Sequence, residues 1–435
     1  MMRKKYLPSL IFVYLAYFTH GMQTLSLSQN ASYFFDKWGY TDATAGAAAV
    51  SMAITFTGFG KLISVWIGGE ISDKVGRKVL AVGGSVLYLL FFVVLLLSTN
   101  VYIAYVAAFI VGIANSGMWD AALYPAAQEA TPKYAASALL GIKLFVSIAG
   151  VIFPLMVVRF AEAGQNSMSI IVPGVLALIC VIMSILCPFA YDDDMKASKK
   201  AKSDSSVEEA LESSEDLVQK EIDEAKAKML VQPNKLVNFT TMFYGFVCMF
   251  IMYGGQQYTK AYGLSNVGMT EMQAASLTSV YTIGSIIAVL FWAFMMGKLR
   301  WNPVKVLFID AIFTTIPLVA VLLIHNITVI YISIACLGFF AAGGALQAGL
   351  SVRQMFSPGR KGRNTGIYYT WMSIASVALP YFVAYMTKSA GEGQAVYIMM
   401  GLLLMFGVIS IVMMSYLVLQ HKKIFGYSAF EKLKD

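Results

Sequence analysis

Twelve long apolar runs constrain the fold of this chain more than any other feature of its sequence. Each has about 20 residues or more and few charges, the length that a helix needs to cross about 30 Å of hydrocarbon. Only 13% of the 435 residues are charged, about half the share in an ordinary soluble domain. The runs are 7–29, 45–68, 79–98, 101–128, 135–158, 168–190, 237–261, 272–297, 304–324, 327–352, 365–387 and 395–420.

The apolar runs are continuous and do not alternate with polar residues. In lipid, only helices and closed barrels satisfy every backbone polar group, and a barrel strand would alternate. The sequence therefore predicts an all-α membrane protein with twelve transmembrane helices. It excludes a disordered chain, a coiled coil and a disulfide-stapled secreted module.

The basic residues predict the orientation of these helices. With the N-terminus inside, 25 of the 32 Lys and Arg residues fall in cytoplasmic segments, and only Lys37, Arg159 and Lys388 fall outside. Because cytoplasmic loops carry the excess of positive charge, both termini are predicted to be cytoplasmic. The net charge of +8 is thereby explained without a nucleic-acid partner. The expected location is the cell inner membrane, which the chain crosses several times.

Residues 191–235 differ in composition from the rest of the chain. They contain twelve acidic residues and eight Lys, which predicts a solvated cytoplasmic linker between an N-terminal bundle, 1–190, and a C-terminal bundle, 236–435. Apolar residues from Val207 to Met229 recur at helical spacing, so a short amphipathic helix is predicted there. An inert tether and a regulatory segment both fit this composition.

The two halves repeat each other. His20-Gly21-Met22-Gln23 corresponds to Tyr253-Gly254-Gly255-Gln256 at an offset of 233 residues. Four residues in or just after the fourth run correspond to four in or just after the tenth at an offset of 226, which indicates duplication into two pseudo-symmetric six-helix bundles. Such repeats are typical of secondary carriers, with the substrate site at their interface near the bilayer midplane. The four pairs are Gly112 with Gly338, Gly117 with Gly343, Gln128 with Gln354 and Pro132 with Pro358.

The loop after the second run carries the most specific motif. Residues 69–78 read Gly69-Glu70-Ile71-Ser72-Asp73-Lys74-Val75-Gly76-Arg77-Lys78. This pattern, in this position, resembles the signature loop of the major facilitator superfamily, and the chain resembles that family over its whole length. The resemblance implies two six-helix bundles that transport a solute by alternating access.

The charges of this loop predict specific contacts. Gly76 permits a tight turn, Asp73 is placed to accept hydrogen bonds from a neighbouring helix N-terminus, and Arg77 needs a carboxylate, which Glu129 can provide. The family resemblance implies that this set, with Gly69 and Lys78, latches the halves in the outward-open state. The corresponding loop, 297–305, has Trp301 at the Asp position, so an asymmetric latch is predicted.

Ionisable residues within the apolar runs are functional candidates, because a charge in the membrane costs several kcal/mol. Asp120 lies twelve residues before Pro132 and Lys143 eleven after it, so both are roughly 17 Å deep. An ion pair is predicted, in which Lys143 holds an anionic substrate and Asp120 carries a proton. Alternatively, the pair only fixes the helix hairpin. His20 is a second proton-coupling candidate or a packing residue.

Four other charges within the runs are weaker candidates. Lys61 follows two glycines in a run that lacks the pattern of a phosphate-binding loop. Lys260, Asp310 and Arg353 are near the ends of their runs, where snorkelling to the interface would account for them.

Polar and aromatic residues elsewhere in the runs complete the candidate site. Tyr369 occupies the position in the second half that Lys143 occupies in the first. Together these residues suit a small molecule with several hydroxyl groups and one carboxylate. The remaining members of the predicted substrate site are Gln23, Asn115, Gln256, Gln257, Gln347, Tyr368 and Trp371, beside His20, Asp120 and Lys143.

No enzymatic motif is found. The four cysteines lack metal-ligand spacing, so neither a metal nor a cofactor is predicted, and a proton gradient is the expected energy source. Segments 21–30, 112–125 and 338–352 resemble a bacterial branch of the family linked with shikimate- and quinate-type acids. A monomeric proton-coupled uptake carrier is therefore predicted. The alternatives are a proton-driven exporter of amphiphilic compounds and a membrane sensor without transport.

Overall fold

The computed structural model of the chain describes residues 4–131, 135–201, 223–224, 226–358 and 361–433. In these ranges almost every ordered element is a helix, and the β pairing they contain is a single bridge between Trp301 and Lys432. The predicted all-α membrane fold is confirmed.

Eleven of the twelve predicted runs each form one long helix in the described part of the chain and the tenth forms two shorter ones, so we number the helices by run. Two short helices, Ala31–Lys37 and Ala190–Ala201, lie between them, and we call the second the linker helix. The twelve are α1 Leu7–Gln29, α2 Ala43–Val75, α3 Arg77–Leu97, α4 Val101–Ala130, α5 Ala135–Glu162, α6 Met168–Leu186, α7 Lys235–Tyr262, α8 Glu271–Gly297, α9 Pro303–Leu323, α10 Ile327–Ala342 with Ala345–Phe356, α11 Lys361–Ala390 and α12 Glu392–Phe425.

Ten helices in the described part of the chain are long and apolar enough to cross a membrane. The apolar part of α10, Ile327–Ala342, is shorter. Helix α1 does not reach the same hydropathy, because polar side chains such as Thr19, His20 and Gln23 lie in its centre. Large apolar side chains such as Trp66 and Ile67 are exposed on the outside, as expected of a lipid-facing surface.

The chain divides into two compact units. The first unit comprises Met1–Ser198 with Gln256–Thr282 and Ser376–Met399, and the second comprises Lys199–Gly255, Ile283–Ala375 and Met400–Asp435. In the first unit, the side chains of Met22, Leu25 and Phe153 form an apolar cluster between α1 and α5. The second unit has a larger core, which includes Trp292 and Tyr368.

Small residues bring α2 and α4 into close contact in the first unit. A Cβ atom at Gly60 would collide with the backbone of α4 at Phe109, and one at Gly112 would collide with the backbone of α2 at Thr57. This is the small-residue packing that membrane helices use to let their backbones approach. It holds the central part of α4, which carries Asn115 and Asp120, against α2.

Helices α4 and α10 each contain a π-helical turn. The turn in α4 spans Ala114–Trp119 and directly precedes Asp120, and the turn in α10 spans Gly338–Ala342. With the offset of 226 residues, the two turns overlap in the repeat. Such turns are frequent at functional sites because they widen the helix and redirect its side chains.

Most of the predicted amphipathic helix at 207–229 lies outside the described residues. Pro132 lies outside them too. What the structure describes is the linker helix, which begins at Ala190, shortly after α6 ends at Leu186. Residues 223–224 and 226–227 are helical.

Candidate functional site

Asp120 has its first partner on α1. The Tyr17 hydroxyl donates a hydrogen bond of 2.8 Å to Asp120 Oδ1. Tyr17 is fully buried and Asp120 half-buried, so the carboxylate is directed into the bundle towards α1 and away from lipid. A carboxylate inside a membrane span that keeps some exposure can exchange a proton or meet a solute.

Lys61 on α2 is the second partner of this site. It is half-buried and interacts electrostatically with both Asp120 and His20. Lys143 on α5 is half-buried as well. This part of α5 packs against α1, since the Phe145 ring stacks on the Tyr14 ring with centroids 5.0 Å apart. Lys61, Lys143 and Asp120 are thus half-buried charged side chains on three different helices of the first unit.

His20 is held by a hydrogen-bonded cluster. Its Nδ1 lies 2.7 Å from Tyr88 Oη and 3.2 Å from Asn115 Nδ2, and Asn115 donates to the same hydroxyl at 3.1 Å. Tyr88 in turn stacks on Trp119 at 3.8 Å between ring centroids. The imidazole is therefore fixed in orientation and remains half-buried.

Three predicted glutamines lie in the first unit. Gln23 is buried, and its Oε1 has no hydrogen-bond partner. Gln257 donates from Nε2 to the backbone oxygen of Thr24 at 3.1 Å, and its Oε1 is likewise unpartnered. Gln256 beside it is half-buried. Two buried amide oxygens thus remain as acceptors for hydroxyl or amino donors, since an unpaired buried polar group is costly.

At the C-terminal end of α1, contacts join the two halves of the sequence within the first unit. Lys260 Nζ donates to the backbone oxygen of Gln29 at 2.9 Å and lies 3.1 Å from Glu271 Oε2. Gln29 Nε2 donates to Thr278 Oγ1 at 3.1 Å. Lys260 is buried, so the expectation that it snorkels to the interface is wrong, because a backbone oxygen and a carboxylate satisfy its charge inside the protein.

The aromatic candidates lie in the second unit. Trp371 meets the rings of Phe239 and Phe243 edge-on, with centroids 6.3 and 5.5 Å away. Tyr368 is fully buried in the core, whereas Tyr369 is half-buried. Gln347 lies in the second part of α10, and its side chain is outside the described residues. Tyr368 is therefore a packing residue in this structure, and Tyr369 is the more accessible hydroxyl.

Arg77 is the centre of the motif loop. Its Nη1 donates to Asp73 Oδ1 and to Ser72 Oγ, both at 2.6 Å, and its Nε and Nη2 each lie 3.2 Å from Glu129 Oε1. The expected pairing of Arg77 with Glu129 is present. The guanidinium is buried, so these partners satisfy a charge that water does not reach.

A carboxylate other than Asp73 accepts hydrogen bonds from the neighbouring helix N-terminus. Asp192 of the linker helix accepts from the backbone N–H groups of Arg77 and Lys78, at 3.1 and 3.2 Å. Gly76, between α2 and α3, has φ +99° and faces Asp192, where a Cβ atom would collide with the carboxylate. Gly69 is exposed and has open space around it. The motif loop is thus tied to the start of the linker.

The second-half loop is built differently, as predicted from Trp301. Lys305 Nζ lies 3.6 Å from the centre of the Trp301 ring, a cation–π contact, and Asn302 caps α9 by accepting from Val304 N at 3.0 Å. These contacts replace the ionic cluster of the first half.

Arg353 and Asp310 are the other two charges that were expected at the interface. Arg353 is buried and donates to Thr241 Oγ1 at 3.1 Å and to Ser357 Oγ at 2.8 Å. Asp310 is 1% exposed. The expectation of snorkelling is therefore wrong for both, because helix packing encloses them before they could reach the interface.

Tyr17 and Tyr88 were not predicted as site residues from the sequence, and Lys61 was treated as a weaker candidate than its position near Asp120 and His20 indicates. Tyr17 lies three residues before His20 on the same face of α1, which is a signal, but a lone tyrosine in an apolar run is more often a packing residue. The structure has no cluster of metal-ligating side chains among the residues it describes.

Comparison with known families agrees with the motif. The family model of the Major Facilitator Superfamily matches residues 13–275 and 261–431. The inner membrane transport protein YdiM of Escherichia coli (strain K12) is 30% identical over 389 residues, which cover 89% of each chain. The uncharacterized MFS-type transporter YfkL of Bacillus subtilis (strain 168) is 30% identical over 419 residues, 96% of this chain and 97% of that protein.

A solved structure supports the fold. The crystal structure of the nucleoside transporter NupG superposes with a TM-score of 0.67, covering 93% of this chain and 99% of that one, at 12% sequence identity. At that identity the likeness concerns the arrangement of the helices and not the solute.

Proposed function

We propose that this chain, which belongs to the major facilitator superfamily and is a multi-pass membrane transporter of that type, takes up a small hydroxylated organic anion together with protons. It works as a monomer, with both termini and the linker in the cytoplasm. The observation that carries the proposal is the half-buried Asp120, hydrogen-bonded to Tyr17 inside a membrane span and near enough to Lys61 for an electrostatic interaction.

The charges of the first unit support a proton-coupled anion. A solute carboxylate that enters the bundle needs a cation, and half-buried Lys143 and Lys61 are the candidates among the charges of these helices. When the solute pairs with a lysine, Asp120 loses part of its compensation and takes up a proton, because an unpaired charge in low dielectric is costly. Proton and anion would then move together, with His20 as a second group that can exchange protons.

The neutral groups of the first unit support a hydroxylated solute. The Oε1 atoms of Gln23 and Gln257 are buried acceptors without partners, and each would accept from a hydroxyl group. An analogue without hydroxyl groups would leave both oxygens unpaired and would bind more weakly, by about 1–3 kcal/mol for each lost contact. This is the basis for proposing a polyhydroxylated acid such as shikimate or quinate.

Two clusters at opposite ends of the first unit support alternating access. Arg77 is paired with Asp73 and Glu129 where α2 meets α3, and Lys260 is paired with Glu271 and Gln29 where α1 ends. In the proposed orientation the first cluster is cytoplasmic and the second faces outwards. In this proposal, opening towards the cytoplasm would break the first cluster, and opening towards the outside would break the second.

Uptake into proteoliposomes tests the proposal. Labelled shikimate or quinate should accumulate when an inward proton gradient is imposed. We expect Lys143→Ala to abolish binding of the anion, and Asp120→Asn to retain exchange of labelled for unlabelled solute but to lose accumulation driven by the gradient. Lys388→Ala, at an exposed position outside the site, should behave as the wild type and controls for loss of a positive charge.

The other outcomes separate the alternatives. If both variants accumulate solute as the wild type does, Asp120 and Lys143 are structural. Proton efflux that depends on an amphiphilic compound would identify an exporter instead. A protein that binds a solute in a thermal-shift assay without any flux would be a sensor.

A further inference from the structure

A buried carboxylate without a hydrogen-bond partner lies in the second unit, whereas Asp120 and its partners lie in the first. Asp310 on α9 is 1% exposed, and neither of its side-chain oxygens has a hydrogen-bond partner. The indole N–H of Trp292 faces this carboxylate but is also without a partner within hydrogen-bond distance. An ionised carboxylate cannot stay in such a place unless a counter-charge or hydrogen bonds compensate it.

Asp310 borders a small cavity with room for about one water molecule. Most of the wall is apolar, and three hydroxyl groups interrupt it. The walls are contributed by α7, α9, α10 and α12. The hydroxyl-bearing residues are Tyr244, Thr314 and Ser410, and the others besides Asp310 are Val247, Cys248, Ile251, Ala311, Phe340, Ala341 and Ala345.

In the first half of the chain, the space that corresponds to this cavity in the internal repeat is filled by side chains. Trp119 packs against Gly84, where a Cβ atom would collide with the indole, and the Tyr88 ring stacks on the other side. Asn115 donates to the hydroxyl of this tyrosine. Four residues on α3 and α4 thus close the space with two aromatic rings.

In the second half, the residues related to these by the internal repeat line the cavity and do not fill it. At the offset of 226 residues, the positions of Gly84, Tyr88, Asn115 and Trp119 are occupied by other side chains, all of which line the cavity. Two large rings and an amide are replaced by small or hydroxyl-bearing side chains, and the glycine is replaced by a carboxylate. The replacing residues are Asp310, Thr314, Ala341 and Ala345, in the same order.

We propose that this cavity is a binding site for one small monovalent cation, a proton or Na⁺, that neutralises Asp310. Apolar side chains would have filled the space at lower cost, as the rings do in the first half, whereas a carboxylate beside an opening of this size is suited to a small cation. Tyr244, Thr314 and Ser410, which line the cavity, carry hydroxyl oxygens of the kind that a hard cation such as Na⁺ binds.

The role of this site in coupling rests on the proposed transport function. Binding of a cation at Asp310 does not depend on that function. A cation at Asp310 would bias the packing of α7, α9, α10 and α12 around it. The other titratable groups close to the cavity are Tyr244 and Cys248 on α7 and Tyr368 on α11, and none of them carries a positive charge.

Measurements on purified full-length protein without solute test the site. In the first arm, melting temperature is measured while NaCl replaces choline chloride at constant ionic strength and pH. In the second arm, infrared spectra across a pH series are compared between wild type and Asp310→Asn. We expect either a Na⁺-dependent rise in melting temperature or a protonated carboxyl band near neutral pH, and Asp310→Asn should lose whichever is found.

A refilled variant keeps the test decisive if Asp310→Asn folds poorly. The variant Asp310→Val replaces the carboxylate by an apolar side chain that is larger by about the volume of one water molecule, so it should fold and should lose the cation signal. Asp120→Asn should retain that signal, which separates this site from the proposed coupling at Asp120. The proposal is overturned if wild type shows neither signal, or if the signal survives in the refilled variant.

Discussion

Gly76 ends α2 in a backbone conformation that residues with a side chain rarely adopt. Its φ is +99°, and a Cβ atom would also collide with the Asp192 carboxylate. We predict that Gly76→Ala lowers the unfolding free energy by about 1–3 kcal/mol and slows transport, because this turn positions Arg77 in the proposed latch. Gly69→Ala is the control, since nothing lies within 4 Å of its Cβ position. Equal melting temperatures of the two variants in detergent would contradict the prediction.

Gly84 and Gly83 provide a second matched pair on α3. A Cβ atom at Gly84 would collide with the Trp119 indole, whereas one at Gly83 would meet only Met118 Sδ at 3.5 Å. Gly84→Ala should therefore cost about 1–3 kcal/mol through overpacking and disturb the cluster that orients His20. Gly83→Ala should be neutral or slightly stabilising. Thermal unfolding and solute binding of both variants check this, and a stable Gly84→Ala with unchanged binding would be the contrary result.

Individual charges could be predicted from the sequence better than their partners. The pairing of Arg77 with Glu129 follows from the motif, whose arginine needs a carboxylate, and from the place of Glu129 near the inner end of the fourth run. Tyr17 could not be identified, because a neutral aromatic side chain in an apolar run looks the same whether it packs or binds Asp120. Asp310 was misjudged because its distance from the end of a run says nothing about the helices that enclose it.

Helices could be predicted from hydropathy, but their ends could not. The run 45–68 lies inside α2, Ala43–Val75, and the run 395–420 lies inside α12, Glu392–Phe425. An apolar run covers only the part of a helix that crosses the hydrocarbon. The helices continue beyond it into more polar sequence, where backbone hydrogen bonds still form. The π-helical turns of α4 and α10 leave no hydropathy signal, since they change the hydrogen-bond register without changing the composition.

The N-terminus of α3 depends on a side chain from the linker helix. Asp192 accepts from the first two N–H groups of α3, where the helix dipole favours a negative charge. Asp192→Ala should lower the unfolding free energy by about 1 kcal/mol and loosen the motif loop. Asp192→Asn, which keeps an acceptor oxygen, should recover part of that loss. Hydrogen exchange of residues 77–80 measures the effect, and unchanged protection in Asp192→Ala would show that this cap is dispensable.

Closure at the C-terminal end of α1 connects residues that are far apart in the sequence. Lys260 bridges the Gln29 backbone oxygen and Glu271, and Gln29 also reaches Thr278. Lys260→Met removes both contacts of a charged donor, each of which is worth about 1.5–3 kcal/mol when well formed. Because Glu271 is half exposed, solvent weakens its share, and the expected shift towards the state open at this end is about tenfold.

A cysteine at position 278 in a background without the four native cysteines measures that shift. Thr278→Cys should react slowly with a membrane-impermeant thiol reagent, and adding Lys260→Met should raise the rate by about the same factor as the population of the open state. Lys388→Met removes an exposed lysine and should leave the rate unchanged. If Lys260→Met leaves the labelling rate at the level of this control, the Lys260 cluster does not hold this end closed, and the contacts of Gln257 with Thr24 and of Ser279 with Val151 would suffice.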